Sequence, residues 1–425
     1  MAAPDRTAEA LPALECDVVM KGGVTSGVIY PSAVAAIAQD YRLRSIGGTS
    51  AGAIAAAAAA AMEFGRTSRR NPAACEQLGQ LATELGAKDG GEPLLARLFE
   101  ADQDTRVLFR LLRKAAERSA TSKWGAVAWV LRWPVLMGAG ASAVITALLF
   151  LAAHQVTEWF ILTILLLFVS LAIVGSTLAG ILLWFAVYAP ALQAASTGGF
   201  GFCSGMGRAA NATQKPTPSL SEWLHHKFQQ LAGLPLSEPL TFGDLWIAEH
   251  RVSERTRSEA LAAAAGSDTA NDAVAQAPRS VDLALVASDI SRAQSVQFPF
   301  VRREDKLYAR ISDLARLFPA DVVNWLVARQ WESALTDVDL GDVPESDLIR
   351  LLAAEDLPVL LAVRASLSFP VLFKAVRLYI VRRRPGGTNV LSELWLADGG
   401  ITSNFPVHLF DAAIPSRPTF CINLL

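Results

Sequence analysis

Over the first 65 residues, short apolar runs alternate with glycine-rich breaks. Cys16–Met20 (Cys-Asp-Val-Val-Met) predicts a strand, Lys21–Gly27 (Lys-Gly-Gly-Val-Thr-Ser-Gly) a turn, and the apolar stretch Val28–Ile37 a helix. The arrangement then repeats, with Leu43–Ile46 as strand, a glycine-bounded break at Gly47–Gly52, and Ala51–Phe64 as helix. Two consecutive strand–turn–helix units predict an α/β fold with a parallel sheet, both turns lying at the carboxyl ends of its strands. The alanine run Ala55–Ala61 has high helix propensity and permits close packing of a helix on that sheet.

The pattern then changes twice. Residues 66–132 read as polar and helical, with Arg110, Arg113, Lys114, Arg118, Lys123 and Arg132 toward the end. Pro134–Ala153 follows as 20 residues without a charge, and Trp159–Tyr188 as 30 more. Lengths of about 20 apolar residues match a bilayer core, so the pair predicts a two-helix transmembrane hairpin closed by His154–Glu158. Trp124, Trp129, Trp133, Trp159, Trp184 and Tyr188 cluster near its ends like an interfacial belt. The basic flanks, continued by Arg208 and Lys215, put the rest of the chain on the cytoplasmic side of a multi-pass membrane protein. The expected organisation is therefore residues 1–132 and 191–425 as two parts of one catalytic domain, with residues 133–190 inserted as the hairpin.

Beyond the hairpin, Ser221–Leu231, Phe242–His250, Ala320–Gln330 and Leu348–Ala354 read as helices. Val281–Ala287, Arg377–Val381, Leu391–Ala397 and Thr419–Leu425 read as strands, with Arg382–Asn389 as a basic turn.

Composition narrows the function classes. Charged residues make up 18% of the chain and mean hydropathy is +0.33, more apolar than an ordinary water-soluble enzyme. A formal net charge of −2 argues against a nucleic-acid partner. Four cysteines, Cys16, Cys75, Cys203 and Cys421, are too scattered for a disulfide framework or a zinc site. The stretch Met1–Glu15 lacks the apolar core of a signal peptide, so secretion is not expected.

The candidate chemistry centres on Gly48-Thr49-Ser50-Ala51-Gly52, the Gly-x-Ser-x-Gly pattern that presents a serine on a sharp strand-to-helix turn. Gly48 and Gly52 let backbone pass close behind the serine, and the following helix points its first amides at developing negative charge. A serine hydroxyl still needs a base and an oxyanion site. Amides at Gly22, Gly23 and Val24 could supply the second if that turn lies beside Ser50. The same turn lacks both the Gly-x-Gly-x-x-Gly spacing and a Walker lysine, against a nucleotide site. Two bases are available. Asp398, in Ala397-Asp398-Gly399-Gly400, follows a strand and precedes two glycines; His408 would complete a serine–aspartate–histidine triad in α/β-hydrolase order. His154, His225, His226 and His250 have no metal-ligand spacing to one another.

Several ordered motifs together resemble the patatin-like phospholipases: Gly22-Gly23 with Gly27, Gly48–Gly52, Thr241-Phe242-Gly243-Asp244-Leu245, Ser288-Asp289, Ala365–Pro370, and Asp398-Gly399-Gly400 followed by Asn404-Phe405-Pro406. The resemblance covers most of the chain outside the hairpin. It implies a three-layer α/β/α fold with a mainly parallel sheet and a hydrolase that cleaves acyl esters of membrane lipids. It also implies Ser50 as nucleophile, Asp398 as direct base, the glycine turn as oxyanion hole, and neither cofactor nor metal. Two features depart from the family pattern: Lys21, Val24 and Ser26 stand where an aspartate, a third glycine and a basic residue are usual, and the hairpin interrupts the domain. A non-catalytic lipid-binding or scaffold protein on the same fold is the alternative.

Overall fold

The computed structural model describes residues 11–23, 29–89, 92–99, 198–206, 219–249, 279–300, 307–330, 337–411 and 413–423, with residue 335 and short pieces of 101–193. Met1–Glu100 and Cys203–Leu425 together form one compact unit, and Ala101–Phe202 a second. In the second unit the Phe202 carbonyl accepts from the Asp102 amide at 2.9 Å and from Thr105 Oγ1 at 2.7 Å, joining the unit's two ends.

The first unit's ten-stranded sheet contains β1 (Leu14–Met20), β2 (Tyr41–Thr49), β3 (Asp282–Asp289), β4 (Gln294–Phe298), β5 (Leu307–Arg310), β6 (Val338–Asp339), β7 (Leu348–Arg350), β8 (Val376–Arg383), β9 (Asn389–Ala397) and β10 (Thr419–Ile422). The order across the sheet is β7-β5-β8-β9-β3-β2-β1-β10, with β4 paired to β3 and β6 to β9. The helices are α1 (Tyr30–Asp40), α2 (Ala51–Thr67), α3 (Ala74–Gly86), α4 (Leu220–Ala232), α5 (Phe242–Trp246), α6 (Ile311–Leu317), α7 (Ala320–Ala328) and α8 (Val359–Ser366), besides the short helix Leu94–Leu98. The two strand–turn–helix units expected from the first 65 residues are present as β1–α1 and β2–α2.

The sheet is mixed, which corrects the expected mainly parallel one. Strands β10, β1, β2 and β3 pair parallel, whereas β3–β9, β9–β8, β8–β5 and β5–β7 pair antiparallel. Connection length accounts for the hairpins within the sheet. A parallel neighbour needs a crossover of a dozen or more residues, as α1 provides between β1 and β2, whereas a short link can only reverse the chain. Residues 384–388 join β8 to β9 and residues 290–293 join β3 to β4, so both pairs are hairpins. The segment Leu348–Ala354, expected as a helix, instead gives strand β7, whose Leu348 and Ile349 are buried opposite Arg310 and Ala309. A short apolar run does not distinguish strand from helix by period alone.

The transmembrane hairpin is also corrected. Pro134–Ala153 lies outside the described residues, and of Trp159–Tyr188 only 167–172, 174–178 and 180 lie inside, as helical pieces of at most six residues. Among the described residues no helix is long and apolar enough to cross a membrane, since a crossing needs about 20 helical residues in succession. The two-span localisation falls with this, and so does the assignment of a cytoplasmic side, which rested on the two spans.

Helix α2 is buried almost all round, from Ala51 to Gly65 apart from Ile54. Alanine at most of these positions lets it lie against β2 on one side and α4 on the other. Buried Glu63 near its end accepts from the Leu43 amide at 3.1 Å and from Arg66 Nε at 2.9 Å, tying α2 back to the start of β2. A buried carboxylate satisfied in this way is structural.

Candidate active site

Strand β2 ends at Thr49, and Ser50 turns the chain into α2 with φ 55° and ψ −128°. A non-glycine residue in that region stores backbone strain, and such residues gather at functional sites. Glycine is required on both sides of the turn. A Cβ on Gly48 would overlap the Gly52 carbonyl oxygen, and one on Gly52 would overlap the Met20 carbonyl oxygen at the end of β1.

The register of β3 brings the chain's distant halves together. Thr49 lies opposite Val286 in the parallel β2–β3 pair, and Ala397 lies opposite Ser288 in the antiparallel β9–β3 pair. Ser50 and Asp398 therefore leave the sheet on either side of one strand. Ser50 Oγ donates to Asp398 Oδ2 at 2.6 Å, and both residues are buried. Asp398 caps the 3-10 turn Gly399–Ile401, its Oδ1 accepting from the Gly400 amide at 2.6 Å. Its own amide donates to the Ser368 carbonyl at 2.9 Å, and its carbonyl accepts from Ser288 Oγ at 2.7 Å. Burial pushes the Asp398 carboxyl above its ordinary value, while the bonds from Ser50 and the Gly400 amide pull it partly back. A carboxyl raised in this direction is a stronger base than an exposed one.

Some supporting residues carry no chemical signature in the sequence. Ser366, fully buried at the end of α8, accepts from the Ser50 amide at 3.1 Å and donates to the Val286 carbonyl at 2.5 Å. Fully buried Arg364 donates to Ser368 Oγ at 2.8 Å and to the Ser204 carbonyl at 2.9 Å, fixing the loop whose carbonyl holds Asp398. Thr241 and Asp244 form the capping box that starts α5. Ser366 lies in the Ala365–Pro370 motif, which was the one available hint; its role depends on contacts 316 residues apart.

Gly22 is buried beside Ser50, where a Cβ would lie 3.1 Å from Ser50 Cβ and overlap Asn404 Oδ1. Its amide donates to the Asn404 carbonyl at 2.9 Å, and Thr49 Oγ1 donates to the same oxygen at 3.0 Å. The Gly22 N–H is thus held by the fold here. Gly23 follows it, half-buried, while Val24 and residues 25–28 lie outside the described residues. His408 sits exposed in the 3-10 turn Val407–Leu409, and no hydrogen bond among the described residues joins it to Ser50 or Asp398. Among the described residues no group of His, Cys, Asp and Glu could hold a metal ion.

An apolar cleft opens at Ser50. Its walls include Ile54, Leu85, Leu224, Phe228, Leu367 and Phe373. Such a concave, mostly apolar site beside a polar dyad suits a substrate with an aliphatic arm and a polar reacting group.

Comparison with known proteins follows the same line. The family model described as patatin-like phospholipase matches residues 124–411, a span that includes Asp398 and leaves Ser50 outside. A curated protein of Rhizobium meliloti (strain 1021), named RpoH suppressor, is 34% identical over 480 residues, covering 97% of this chain and 66% of that protein. The chain thus spans slightly less than two thirds of that relative's length. No solved structure matches the chain.

Proposed function

The chain belongs to the patatin-like phospholipase family, and from that premise we propose that it hydrolyses acyl esters of lipids through a Ser50–Asp398 dyad. The observation that carries the proposal is the 2.6 Å hydrogen bond from Ser50 Oγ to Asp398 Oδ2, made on a strained turn that faces an apolar cleft. Ser50 Oγ attacks the ester carbonyl carbon while Asp398 Oδ2 takes the hydroxyl proton. The tetrahedral oxyanion collapses, the alcohol leaves with that proton, and an acyl-Ser50 ester remains. Water, deprotonated by the same carboxylate, then attacks this ester; the acyl–Oγ bond breaks, Ser50 Oγ takes the proton back from Asp398, and the acid is released.

The oxyanion is assigned to the turn Gly22–Val24. The Gly22 amide donates to the Asn404 carbonyl, and the amide of Ala51, the residue after the nucleophile, is a further donor from the start of α2. The positive end of α2 favours the same charge. A non-catalytic lipid-binding protein would use the cleft equally well. It would have no need of a strained serine hydrogen-bonded to a carboxylate of raised basicity, and this favours the enzyme.

The test is fluorophosphonate labelling of the purified chain together with release of fatty acid from phospholipid and neutral acylglycerol. Ser50→Ala and Asp398→Asn are expected to abolish both, and His408→Ala neither. Labelling that survives Ser50→Ala, or that is lost with His408→Ala, would refute the dyad.

A further inference from the structure

The cleft at Ser50 has a defined length. Along α2 its floor is Ser50, Ala51, Ile54, Ala55 and Ala58, and along α4 its wall runs from Leu220 to Phe228. Each run covers eight steps of helix, about 12 Å at about 1.5 Å per residue. The two helices start at the site end: the Ser221 amide donates to the Gly205 carbonyl at 2.8 Å, and the Gly205 backbone adjoins the Arg364 side chain. They meet at the other end. A Cβ on Gly65 of α2 would overlap the Leu231 carbonyl oxygen of α4, and Asn71 Nδ2 donates to the Gln230 and Leu231 carbonyls at 2.8 and 3.2 Å.

The small residues Ala51, Ala55 and Ala58 line the open part of the groove, and seven residues beyond Ala58 the two backbones touch at Gly65. Phe228, almost fully buried, is the last α4 residue that lines the cleft, and its neighbour Lys227, which lines it too, binds Glu84 of α3 at 2.7 Å. The same helix thus uses alanine for two purposes. Ala53, Ala56, Ala57, Ala60 and Ala61, absent from the cleft, are fully or almost fully buried in packing, while Ala51, Ala55 and Ala58 line empty space.

We propose that this cleft is a chain-length gauge for the acyl arm of the substrate, admitting about ten carbons, with Ala58 and Phe228 setting the limit. An extended chain advances about 1.25 Å per carbon, the projection of a C–C bond of about 1.5 Å, so about 12 Å of groove takes about ten. The inference rests on the reading of Ser50 as the nucleophile of an acyl hydrolase, because that reading fixes which end of the chain is anchored.

The test uses binding, so that it does not depend on turnover. Straight-chain fatty acids of 4 to 16 carbons are titrated calorimetrically, below their micellar concentrations, into the full-length Ser50→Ala variant. Affinity should rise about fourfold per added methylene while each methylene leaves water, then stop rising near ten carbons. Phe228→Ala in the same background should move the break to longer chains, and Ala58→Phe should move it to about four to six. Affinity that climbs steadily to 16 carbons, or a break unmoved by Phe228→Ala, overturns the gauge. The enzymatic reading is judged separately, by Ser50-dependent ester hydrolysis. A break at ten carbons without such hydrolysis would leave the gauge standing and remove the catalytic assignment; hydrolysis without a break would do the reverse.

Discussion

Ser366→Ala tests whether the dyad depends on a strut that contributes no chemistry of its own. The Ser366 hydroxyl is fully buried and makes two bonds, accepting from the Ser50 amide at 3.1 Å and donating to the Val286 carbonyl at 2.5 Å. It also lies 3.2 Å from where a Cβ on Gly399 would sit, so it touches the Asp398 turn as well as the Ser50 turn. Alanine removes one oxygen, which leaves a buried N–H and a buried carbonyl short of a partner. Each such group costs about 1–3 kcal/mol, so the variant should lose about 2–6 kcal/mol. Against a total stability of about 5–15 kcal/mol this is large enough to read in a urea titration. With its amide released, Ser50 no longer holds one position at the start of α2. The rate of fluorophosphonate labelling should then fall about 10- to 100-fold, the scale set by small misplacements of reacting groups. Ser366→Thr, which keeps the hydroxyl, should restore labelling more than stability, since its extra methyl enters a filled core. A loss under about 0.5 kcal/mol with an unchanged labelling rate would show that neither backbone group relies on Ser366, and the strut would be discarded.

Three further outcomes follow from the same geometry. Gly52→Ala should cost about 3 kcal/mol and abolish labelling, because the new methyl meets the Met20 and Lys21 carbonyl oxygens rather than a movable side chain; a wild-type melting curve would refute this. Burial holds the Asp398 carboxyl above its ordinary value of 3.8, so the acid limb of kcat/KM should lie above that value. Its folded pKa exceeds its unfolded one, so the contribution to stability is full below 3.8 and is lost as pH rises through the folded value. Asp398→Asn should therefore gain stability relative to the parent across that window, and a relative loss on raising the pH would contradict the direction. Val371, 58% exposed and at φ 73°, is a β-branched residue in the left-handed region. Val371→Gly should stabilise the chain by about 0.5–1 kcal/mol, the relief of about 1–2 kcal/mol less the entropy glycine brings, and destabilisation in urea would refute the strain.

What the sequence disclosed was local. Glycine at 48 and 52 marks the Ser50 turn because only a missing Cβ permits those backbone approaches, and a short apolar run before the glycine turn marks β1 as the alanine run marks α2. The Ser50–Asp398 pairing was legible only through the order of several motifs, since the two residues are 348 apart. Strand direction was not legible at all beyond the first two units. A short link forces a reversal, but residues 311–347 leave room for a crossover and the strands they join still pair antiparallel; Leu348–Arg350 carries no mark that it will pair with Leu307–Arg310. The cleft escaped for a related reason. Leu220, Leu224 and Phe228 read simply as one apolar face of a helix, and nothing in the spacing says that the face looks onto empty space rather than another side chain. The uncharged runs at 134–153 and 159–188 satisfied a length criterion for bilayer spans. Length and hydropathy are properties of a segment, however, and among the described residues no helix of that kind forms.

The mixed character of the sheet is what sets the dyad's geometry. Strand β3 is the junction, parallel to β2 on one side and antiparallel to β9 on the other, and its antiparallel ladder with β9 is only two residue pairs long. Beyond Ala397 the chain leaves the ladder at once, because Asp398 donates its amide to Ser368 instead of continuing along β3. A Cβ on Gly399 would overlap the Val286 carbonyl, so the departing turn is pressed against the residue that faces Thr49 across the β2–β3 pair. One peptide of β3 thereby positions both turns. Register is the sensitive quantity: a slip of one residue between β9 and β3 would displace the carboxylate by about 3.4 Å and turn its side chain to the other face of the sheet. A hydrogen bond of 2.6 Å does not survive either change. The short ladder, the glycine at 399 and the Ser368 carbonyl are thus needed together to keep Asp398 within reach of Ser50.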